Sequence, residues 1–302
     1  VAAAPGQLTV QQINSARPLV GLQSFPTPDK MLYLFGNAIT ASPSPAMHNA
    51  GFQALSIPLA YSLAQHDTIE QVVEVLKREN TLGGNITMPF KTQILPYLQS
   101  ITSSAQKIGA VNTIVKSSNG GLRGDNTDWI GIMNPILRTA TAIDKSLSRG
   151  LVLGAGGTAR ASIYAMQHGL SMKEIVICNP RTHSNAVTLA DTFSISCNTL
   201  EELNNQHFDV IVSTLPPIGV TDKVQETMKQ LCKSHPIVMD VVYFPSNTTT
   251  LQIAKENDCN TIYGPEMLLE QGLYGFEQWT NLRAPRSVMQ TSLFSFQQSM
   301  SS

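Results

Sequence analysis

Cysteine is scarce in this sequence, and the few cysteines present do not form a recognisable metal-binding or redox pattern. Four cysteines occur among 302 residues: Cys178, Cys197, Cys232 and Cys259. They lie at wide, irregular spacings and include no CxxC pair. We therefore expect reduced, mostly structural thiols and no bound metal.

Long apolar runs and blocks of one charge are also missing. No apolar stretch reaches the roughly 18 residues of a membrane span, and the N-terminus lacks the charged-then-apolar layout of a signal peptide. A cytoplasmic location is therefore predicted. The net charge is −1 and no basic block occurs, which argues against nucleic acid or an anionic membrane as partner. A small molecule is the expected partner.

The first half of the chain alternates strand-like and helix-like segments. Apolar runs at residues 31–35 and 59–64 indicate strands, and the apolar spacing of residues 69–76 indicates a helix capped by Asp67 or Thr68. A βαβ beginning is therefore expected. The other segments predicted here are a helix near Pro45, a helix at 90–98, a hairpin of 110–115 with 122–124, and a helix at 125–137.

The second half shows a more regular alternation. Strand-like runs alternate with helical stretches, which is typical of a parallel sheet with helices on both faces. The predicted strands cover residues 151–153, 174–178, 208–213, 237–243 and 261–263, and helical patterns follow at 265–279 and 290–300. The predicted fold class is α/β, with two α/β domains and a cleft between them.

The turn after the first strand of the second half has the composition of a dinucleotide site. Gly154, Ala155, Gly156, Gly157 and Thr158 lie between that strand and a predicted helix, which is the context that such a site requires. The glycines allow a tight turn and let backbone N–H groups approach a pyrophosphate. Because two glycines are adjacent, the segment is a variant of GxGxxG, and a glycine-rich turn without ligand is the alternative interpretation.

The end of the next strand indicates which coenzyme is bound. Asn179, Pro180, Arg181 and Thr182 occupy the place where an NAD enzyme usually carries an acid for the ribose 2′-hydroxyl. No acid is present, and an arginine there can pair with a 2′-phosphate. NADP is therefore the predicted coenzyme, and a solvated loop cation at Arg181 is the alternative.

Three polar clusters in the first half combine hydroxyl, amide, ammonium and carboxylate groups. Their main members are Ser42 and Ser44, then Asn85, Thr87 and Lys91, then Asn112 and Asp128. Such a set suits a polyhydroxylated acid as ligand. Each member also has a structural alternative: a helix cap for the serines, a turn former for Asn112, a helix N-cap for Asp128 and a surface cation for Lys91.

Taken together, these clusters resemble the shikimate dehydrogenase family in order and spacing. The matching segments are 35–37, 42–45, 48–49, 85–91, 109–113, 124–128, 154–157, 213–219 and 267–271. The sequence differs from the usual family pattern in two places: Pro180 is inserted after Asn179, and the segment 213–216 is more hydrophobic than is usual. The resemblance covers residues 31–279.

The flanking segments 4–8 and 276–285 resemble the last domain of the fungal pentafunctional arom polypeptide. The sequence also begins at Val1 rather than at a methionine. We therefore expect a domain of a longer polypeptide, covalently linked to other shikimate-pathway domains.

The resemblance implies an NADPH-dependent reduction of 3-dehydroshikimate to shikimate in aromatic amino acid biosynthesis, with Lys91 and Asp128 as the catalytic pair. It implies carboxylate binding by Ser42 and Ser44, hydroxyl binding by Asn85, Thr87, Asn112 and Gln271, and Tyr243 beside substrate and nicotinamide. The implied coenzyme-binding residues are Gly154, Ala155, Gly156, Gly157, Thr158, Asn179, Arg181, Thr182 and Gly264.

The predicted domains are a connector at 1–30, a substrate-binding domain at 31–130 plus 266–302, and a Rossmann-like NADP-binding domain at 131–265. Two alternatives stay open: a quinate/shikimate dehydrogenase that uses NAD, and a non-catalytic quinate-pathway repressor domain. The absence of an acid near Arg181 argues against the first. The presence of both Lys91 and Asp128 argues against the second.

Overall fold

Two six-stranded sheets organise the structure, a computed structural model that describes residues 29–301. The predicted connector at 1–30 therefore lies almost entirely outside the described residues. Across residues 29–301, no helix is both long enough and apolar enough to cross a membrane. The predicted α/β fold class is confirmed.

The first sheet is mixed. Its strands are β1 Lys30–Gly36, β2 Leu59–Gln65, β3 Thr81–Ile86, β4 Ser100–Ile101, β5 Thr113–Lys116 and β6 Leu122–Asp125, in the order β2-β1-β3-β5-β6-β4. The associated helices are α1 Ser44–Ala54, α2 Ile69–Lys77 and α3 Ser103–Ile108. The β1–α–β2 beginning is parallel and the β5–β6 hairpin is antiparallel, as predicted. The two-residue edge strand β4 was not predicted, because it is too short to show a pattern.

Close packing between β1 and β3 depends on glycine. Gly84 has φ of +152°, and a Cβ atom there would lie 2.0 Å from the carbonyl oxygen of Tyr33. A side chain at this position would force the two strands apart. The glycine therefore lets β3 lie between β1 and β5, with the polar residue Asn85 near its C-terminal end.

The helix predicted at residues 90–98 is wrong. Residues 88–94 form successive turns, and Leu95–Tyr97 is a single 3₁₀ turn. Pro96 has no N–H to donate, and most of the hydrogen bonds in this stretch span three residues instead of four. Likewise, the helix predicted from residue 125 begins only at Asp128, because Asp125 still belongs to β6.

The second sheet is entirely parallel, as predicted. Its strands are β7 Arg149–Leu153, β8 Glu174–Cys178, β9 Ser196–Cys197, β10 Val210–Ser213, β11 Ile237–Asp240 and β12 Thr261–Ile262, in the order β12-β11-β10-β7-β8-β9. The helices around it are α4 Asp128–Ala142, α5 Gly157–Tyr164, α6 His183–Phe193, α7 Asp222–Cys232 and α8 Thr249–Glu256. Strand order reverses between β7 and β10, which is where open α/β sheets bind ligands.

The strands of this sheet are buried on both faces. Val152 packs into one apolar cluster, whereas its neighbours Leu151 and Leu153 pack into the cluster on the opposite face. This double burial explains why the sequence shows continuous apolar runs instead of alternation.

The last two helices, α9 Gly264–Thr280 and α10 Arg286–Ser301, return to the first sheet. Phe276 stacks on Phe52 of α1 at 5.1 Å between ring centroids, and Trp279 donates a hydrogen bond to the Ile114 carbonyl at 3.0 Å. These contacts agree with assigning the C-terminal segment to the substrate-binding domain. The domain bounds themselves stay a prediction.

A buried carboxylate ties three helices together. Glu270 of α9 is 4% exposed and accepts hydrogen bonds from Asn134 and Arg138 of α4 and two from Arg286 of α10. Burial raises the pKa of Glu270, but the hydrogen bonds and charges around it, Arg286 foremost, outweigh this effect and hold the pKa below the ordinary glutamate value.

Glu270→Gln is expected to lower the free energy of unfolding at pH 7 by about 1–3 kcal/mol, the scale of hydrogen bonds to a charged group. A lowered folded-state pKa stabilises the protein above the unfolded value, and that stability is lost as the pH falls through the folded value. Part of the decrease in the free energy of unfolding below about pH 4.3 should therefore be absent in the variant. Urea unfolding at pH 7 and in acid tests this, with the exposed Glu256→Gln as control. Identical acid dependence in wild type and Glu270→Gln would contradict the prediction.

Candidate active site

A cavity of about 450 Å³ lies where the two sheets face each other. Loops at the C-terminal ends of β1, β3, β10 and β11 form its walls, together with the N-terminal parts of α4, α5 and α9. All the predicted catalytic and substrate-binding residues line it: Ser42, Ser44, Asn85, Thr87, Lys91, Asn112, Asp128, Tyr243 and Gln271. Of the predicted coenzyme residues, Thr158 and Gly264 also line it. The topology thus brings segments almost 230 positions apart in the chain to one cavity.

A larger cavity, of about 650 Å³, lies between α4, α9 and α10. Its walls include the arginines that hold Glu270, and none of the predicted site residues lines it. This second cavity is therefore separate from the predicted site.

Lys91 and Asp128 form an ion pair in the smaller cavity. The Lys91 Nζ and Asp128 Oδ2 atoms are 2.5 Å apart, and the two side chains are only 14% and 7% exposed. The other carboxylate oxygen accepts a hydrogen bond from Asn112 at 2.7 Å. Among the described residues, Lys91 Nζ also donates to Thr158 Oγ1 at 3.2 Å. Since an ammonium has three donors, one remains for an oxygen of a bound ligand.

The structural alternatives for Lys91 and Asp128 do not hold, whereas the helix-cap alternative holds in part for Ser42. Lys91 is too buried to be a surface cation. The N-cap of α4 is Thr127 and not Asp128. The N-cap of α1 is Pro43, but Ser42 Oγ accepts a hydrogen bond at 3.3 Å from the N–H of Ser44, the first residue of that helix. The hydroxyls of Ser42 and Ser44 also lie at the cavity wall, 3.2 Å from each other.

Asn85 is held in place by a tyrosine from the neighbouring part of the sheet. Tyr61 of β2 donates its hydroxyl hydrogen to Asn85 Oδ1 at 2.7 Å, and Asn85 Nδ2 donates to the Asn112 carbonyl and to Thr113 Oγ1. Behind this pair, His48 stacks on Tyr61 with ring centroids 4.6 Å apart. Burial lowers the pKa of His48 to about 3, so the ring is neutral and supports the tyrosine without adding charge.

A second set of hydrogen bonds joins α9 to Asp128 through Asn112. Asn112 Nδ2, which donates to Asp128, also donates to Thr127 Oγ1 at 3.0 Å, and Thr127 Oγ1 in turn donates to Gln271 Oε1 at 3.1 Å. Sequence analysis did not single out Thr127 or Tyr61 as site residues. Thr127 lies inside the segment 124–128 that resembles the family, and this position could have indicated a site residue. No feature of the sequence indicated Tyr61, because a tyrosine in a strand usually indicates only packing.

Tyr243 brings the second sheet to the opposite wall of the cavity. It lies in the loop after β11, three residues beyond the end of that strand. Burial raises the pKa of Tyr243, and the Ser42 hydroxyl acts in the opposite direction. Ser42 and Tyr243, both predicted to contact substrate, thus line the same cavity from the sides of different sheets.

The glycine-rich turn has the shape that a pyrophosphate requires. Gly154 has φ of +108°, and a Cβ atom there would lie 2.3 Å from Thr214 Oγ1. At Gly156, by contrast, the position of a Cβ atom meets nothing within 4 Å, so the backbone is open to a ligand. No side chain caps α5, which leaves its first N–H groups to an anion. The residues present therefore fit a dinucleotide.

The predicted 2′-phosphate loop lies after β8 and outside the cavity wall. Asn179 closes it, since its amide donates to the Thr182 carbonyl at 3.1 Å and its Oδ1 accepts from the Arg181 backbone at 3.4 Å. The Arg181 side chain is exposed. The inserted Pro180 is accommodated within this turn, so an exposed arginine still stands at the end of the second strand.

Comparison with known proteins agrees with this site. A family model described as the shikimate dehydrogenase substrate binding domain matches residues 34–114, and one described as the shikimate 5'-dehydrogenase C-terminal domain matches residues 264–294. The pentafunctional AROM polypeptide of Schizosaccharomyces japonicus is 37% identical over 304 residues, covering 94% of this chain and 19% of that protein. The chain thus spans about a fifth of the length of the curated relatives it matches.

Solved structures match over most of their length. The shikimate dehydrogenase of Aquifex aeolicus is 32% identical with a TM-score of 0.76, covering 87% of this chain and 97% of that one. The shikimate 5-dehydrogenase of Thermus thermophilus, solved with NADP(H) and shikimate, is 28% identical with a TM-score of 0.73, covering 88% and 99%. With this similarity and the buried lysine–aspartate pair, the chain belongs to the shikimate dehydrogenase family.

Proposed function

We propose that this chain catalyses the reversible, NADPH-dependent reduction of 3-dehydroshikimate to shikimate. The observation that carries the proposal is the Lys91–Asp128 ion pair at 2.5 Å, in a cavity whose wall also presents hydroxyl and amide groups among apolar side chains. A carbonyl reduction needs an electrophile and a proton donor, and an ammonium supplies both.

Lys91 acts on the carbonyl oxygen. NADPH, when bound, supplies the hydride that the carbonyl carbon accepts. As negative charge develops on the oxygen, the third donor of the Lys91 ammonium stabilises that charge and delivers a proton to it. Asp128 keeps Nζ pointing into the cavity and, through its position at the wall, accepts a hydrogen bond from a neighbouring ring hydroxyl.

The surrounding groups select a hydroxylated acid. We assign the substrate carboxylate to the two buried hydroxyls of Ser42 and Ser44, with Tyr243 opposite them. Both amide hydrogens of Asn85 already have acceptors, so Asn85 serves the ring as an acceptor through Oδ1. Gln271 uses one amide hydrogen on the Leu268 carbonyl and has a second one for substrate. We assign the remaining ring hydroxyl contacts to Thr87 and Asn112.

The coenzyme assignment depends on the two loops described above. The open backbone at Gly156 and the uncapped N-terminus of α5 support the pyrophosphate site, which includes Ala155 and Gly157. The exposed Arg181, with Asn179 and Thr182 shaping its loop, supports NADP rather than NAD, because no carboxylate stands there for a ribose 2′-hydroxyl. Gly264 lines the cavity beside Tyr243 and supports the nicotinamide end.

The test is the reduction of NADP and of NAD at saturating shikimate and at saturating quinate, followed by absorbance. We expect fast reduction with shikimate and NADP alone. Reduction with quinate and NAD would instead assign the chain to a quinate/shikimate dehydrogenase. No reduction with any pair would support the non-catalytic repressor alternative, despite the ion pair.

We further propose that the chain works in the cytoplasm as one domain of a multifunctional shikimate-pathway polypeptide. The similarity to about a fifth of the AROM polypeptides supports this. An antibody raised against this chain should detect, in a soluble extract of its source, a polypeptide several times larger than 32.7 kDa. A band at 32.7 kDa alone would contradict the linkage.

A further inference from the structure

The helix that begins the nucleotide site also touches the lysine of the other sheet. Thr158, in the first turn of α5, places its Oγ1 3.2 Å from Lys91 Nζ. At Gly157, the position of a Cβ atom is 3.2 Å from Lys91 Cδ and 3.3 Å from its Cβ, so the lysine stem lies directly against the glycine. The contact joins residues 67 positions apart and crosses between the two sheets.

We propose that the Thr158 hydroxyl is a positioning group for Lys91, and that through it the coenzyme-binding helix helps set the orientation of the catalytic ammonium. The proposal rests on the proposed function, since it presupposes that Lys91 carries the chemistry. It differs from the sequence prediction, in which Thr158 was assigned to the coenzyme.

The chemistry of the contact fixes the role of each group. An ammonium can only donate, so the threonine oxygen accepts the hydrogen bond. Asp128 and Thr158 together take two donors of Nζ from two sides, and two fixed acceptors define the direction of the third donor. Lys91 has four rotatable side-chain bonds, and one acceptor alone would leave Nζ free to swing about it.

The backbone of Thr158 has a separate task. Its N–H lies in the first turn of α5, which is the part of the helix that faces the expected pyrophosphate. The residue thus presents its amide to the coenzyme and its hydroxyl to the lysine. Binding of coenzyme at this turn would fix the position of the hydroxyl, and the lysine would be oriented when the coenzyme is in place.

Three variants separate the two roles of the residue. Thr158→Val keeps the branched shape and the backbone amide but removes the oxygen, and we expect kcat to fall about tenfold, the scale of one hydrogen bond to a charged group. The KM for NADP should change less than about twofold, because the amide is retained. Thr158→Ser restores the oxygen and should restore kcat. Thr188→Val is the matched control, since Thr188 is exposed on α6 and, within residues 29–301, its hydroxyl donates to the Ser184 carbonyl of the same helix.

A second measurement does not depend on turnover. In a short acetylation pulse without coenzyme, mass spectrometry of the Lys91 peptide should show faster labelling in Thr158→Val than in wild type, because the amine has lost one acceptor. Thr158→Ser and Thr188→Val should label like wild type.

The proposal is overturned if Thr158→Val raises KM for NADP while leaving kcat unchanged, which would assign the hydroxyl to the coenzyme. It is equally overturned if the serine variant loses as much kcat as the valine variant, or if Lys91 labels at the same rate in valine variant and wild type. Failure of the wild type to oxidise shikimate with NADP would instead sink the proposed function, and the acetylation pulse would still report on the contact.

Discussion

Lys91→Ala is expected to lower kcat for shikimate oxidation about 100- to 1,000-fold, or about 3–4 kcal/mol of transition-state stabilisation. The reason is that the charge on the reacting oxygen develops only in the transition state, so the ammonium contributes little to ground-state binding. The dissociation constant for shikimate should therefore stay within a few-fold of wild type. Steady-state kinetics and calorimetric titration measure the two quantities separately.

The control for this prediction is Lys107→Ala, which removes an exposed lysine of α3 in the same part of the fold. Its turnover should equal that of wild type. Unchanged turnover in Lys91→Ala would remove the lysine from the mechanism. A large rise in the shikimate dissociation constant with unchanged kcat would make Lys91 a binding residue only.

Asp128→Asn is expected to lower kcat about 100-fold although the side chain hardly changes in size. In the wild type, one carboxylate oxygen accepts from Lys91 and the other from Asn112. An asparagine has only one acceptor oxygen, so its amide nitrogen must face one of these two donors. A donor–donor contact then displaces either the lysine or Asn112, and the partly buried ammonium loses its counter-charge.

The same kinetics test this variant, with the exposed Asp191→Asn on α6 as control. The double variant Lys91→Ala with Asp128→Asn should be little worse than Lys91→Ala alone, because an aspartate that acts by orienting the lysine has no target once the lysine is gone. The ring-hydroxyl contact assigned to Asp128 should affect KM rather than kcat. Losses in kcat that multiply in the double variant would show that Asp128 contributes to turnover by more than orienting Lys91.

The sequence predicted the elements whose side chains follow a regular burial pattern. The runs at 151–153 and 174–178 are strands because the side chains of 151–153 and 175–178 enter an apolar cluster on one face or the other. The helix at 69–76 was predicted for a similar reason, and Thr68 caps it as expected. Such patterns depend only on the chain near each residue, so they can be found without knowing the partners.

The same reasoning failed at residues 90–98, whose apolar-polar pattern suits a helix. In the structure this stretch forms turns instead, because Pro96 lacks an N–H group and Lys91 lies at the cavity wall. The sequence also gave no information on which contacts hold the C-terminal helices α9 and α10 to the rest of the fold. Glu270 looked like part of a motif, whereas in the structure it is a buried anchor for Arg286 and α4.

By itself, the sequence predicted that Lys91, Asp128 and the other site residues belong to one site, because the short segments that carry them resemble those of one family in order and spacing. The tertiary structure alone decided how those groups are held: Tyr61 on Asn85, Asn112 on Asp128, and Thr158 on Lys91. The physical reason is that hydrogen bonds form between atoms a few ångströms apart in space, and those atoms lie 16 to 67 positions apart in the chain. No local pattern of hydrophobicity or charge records a contact of that kind.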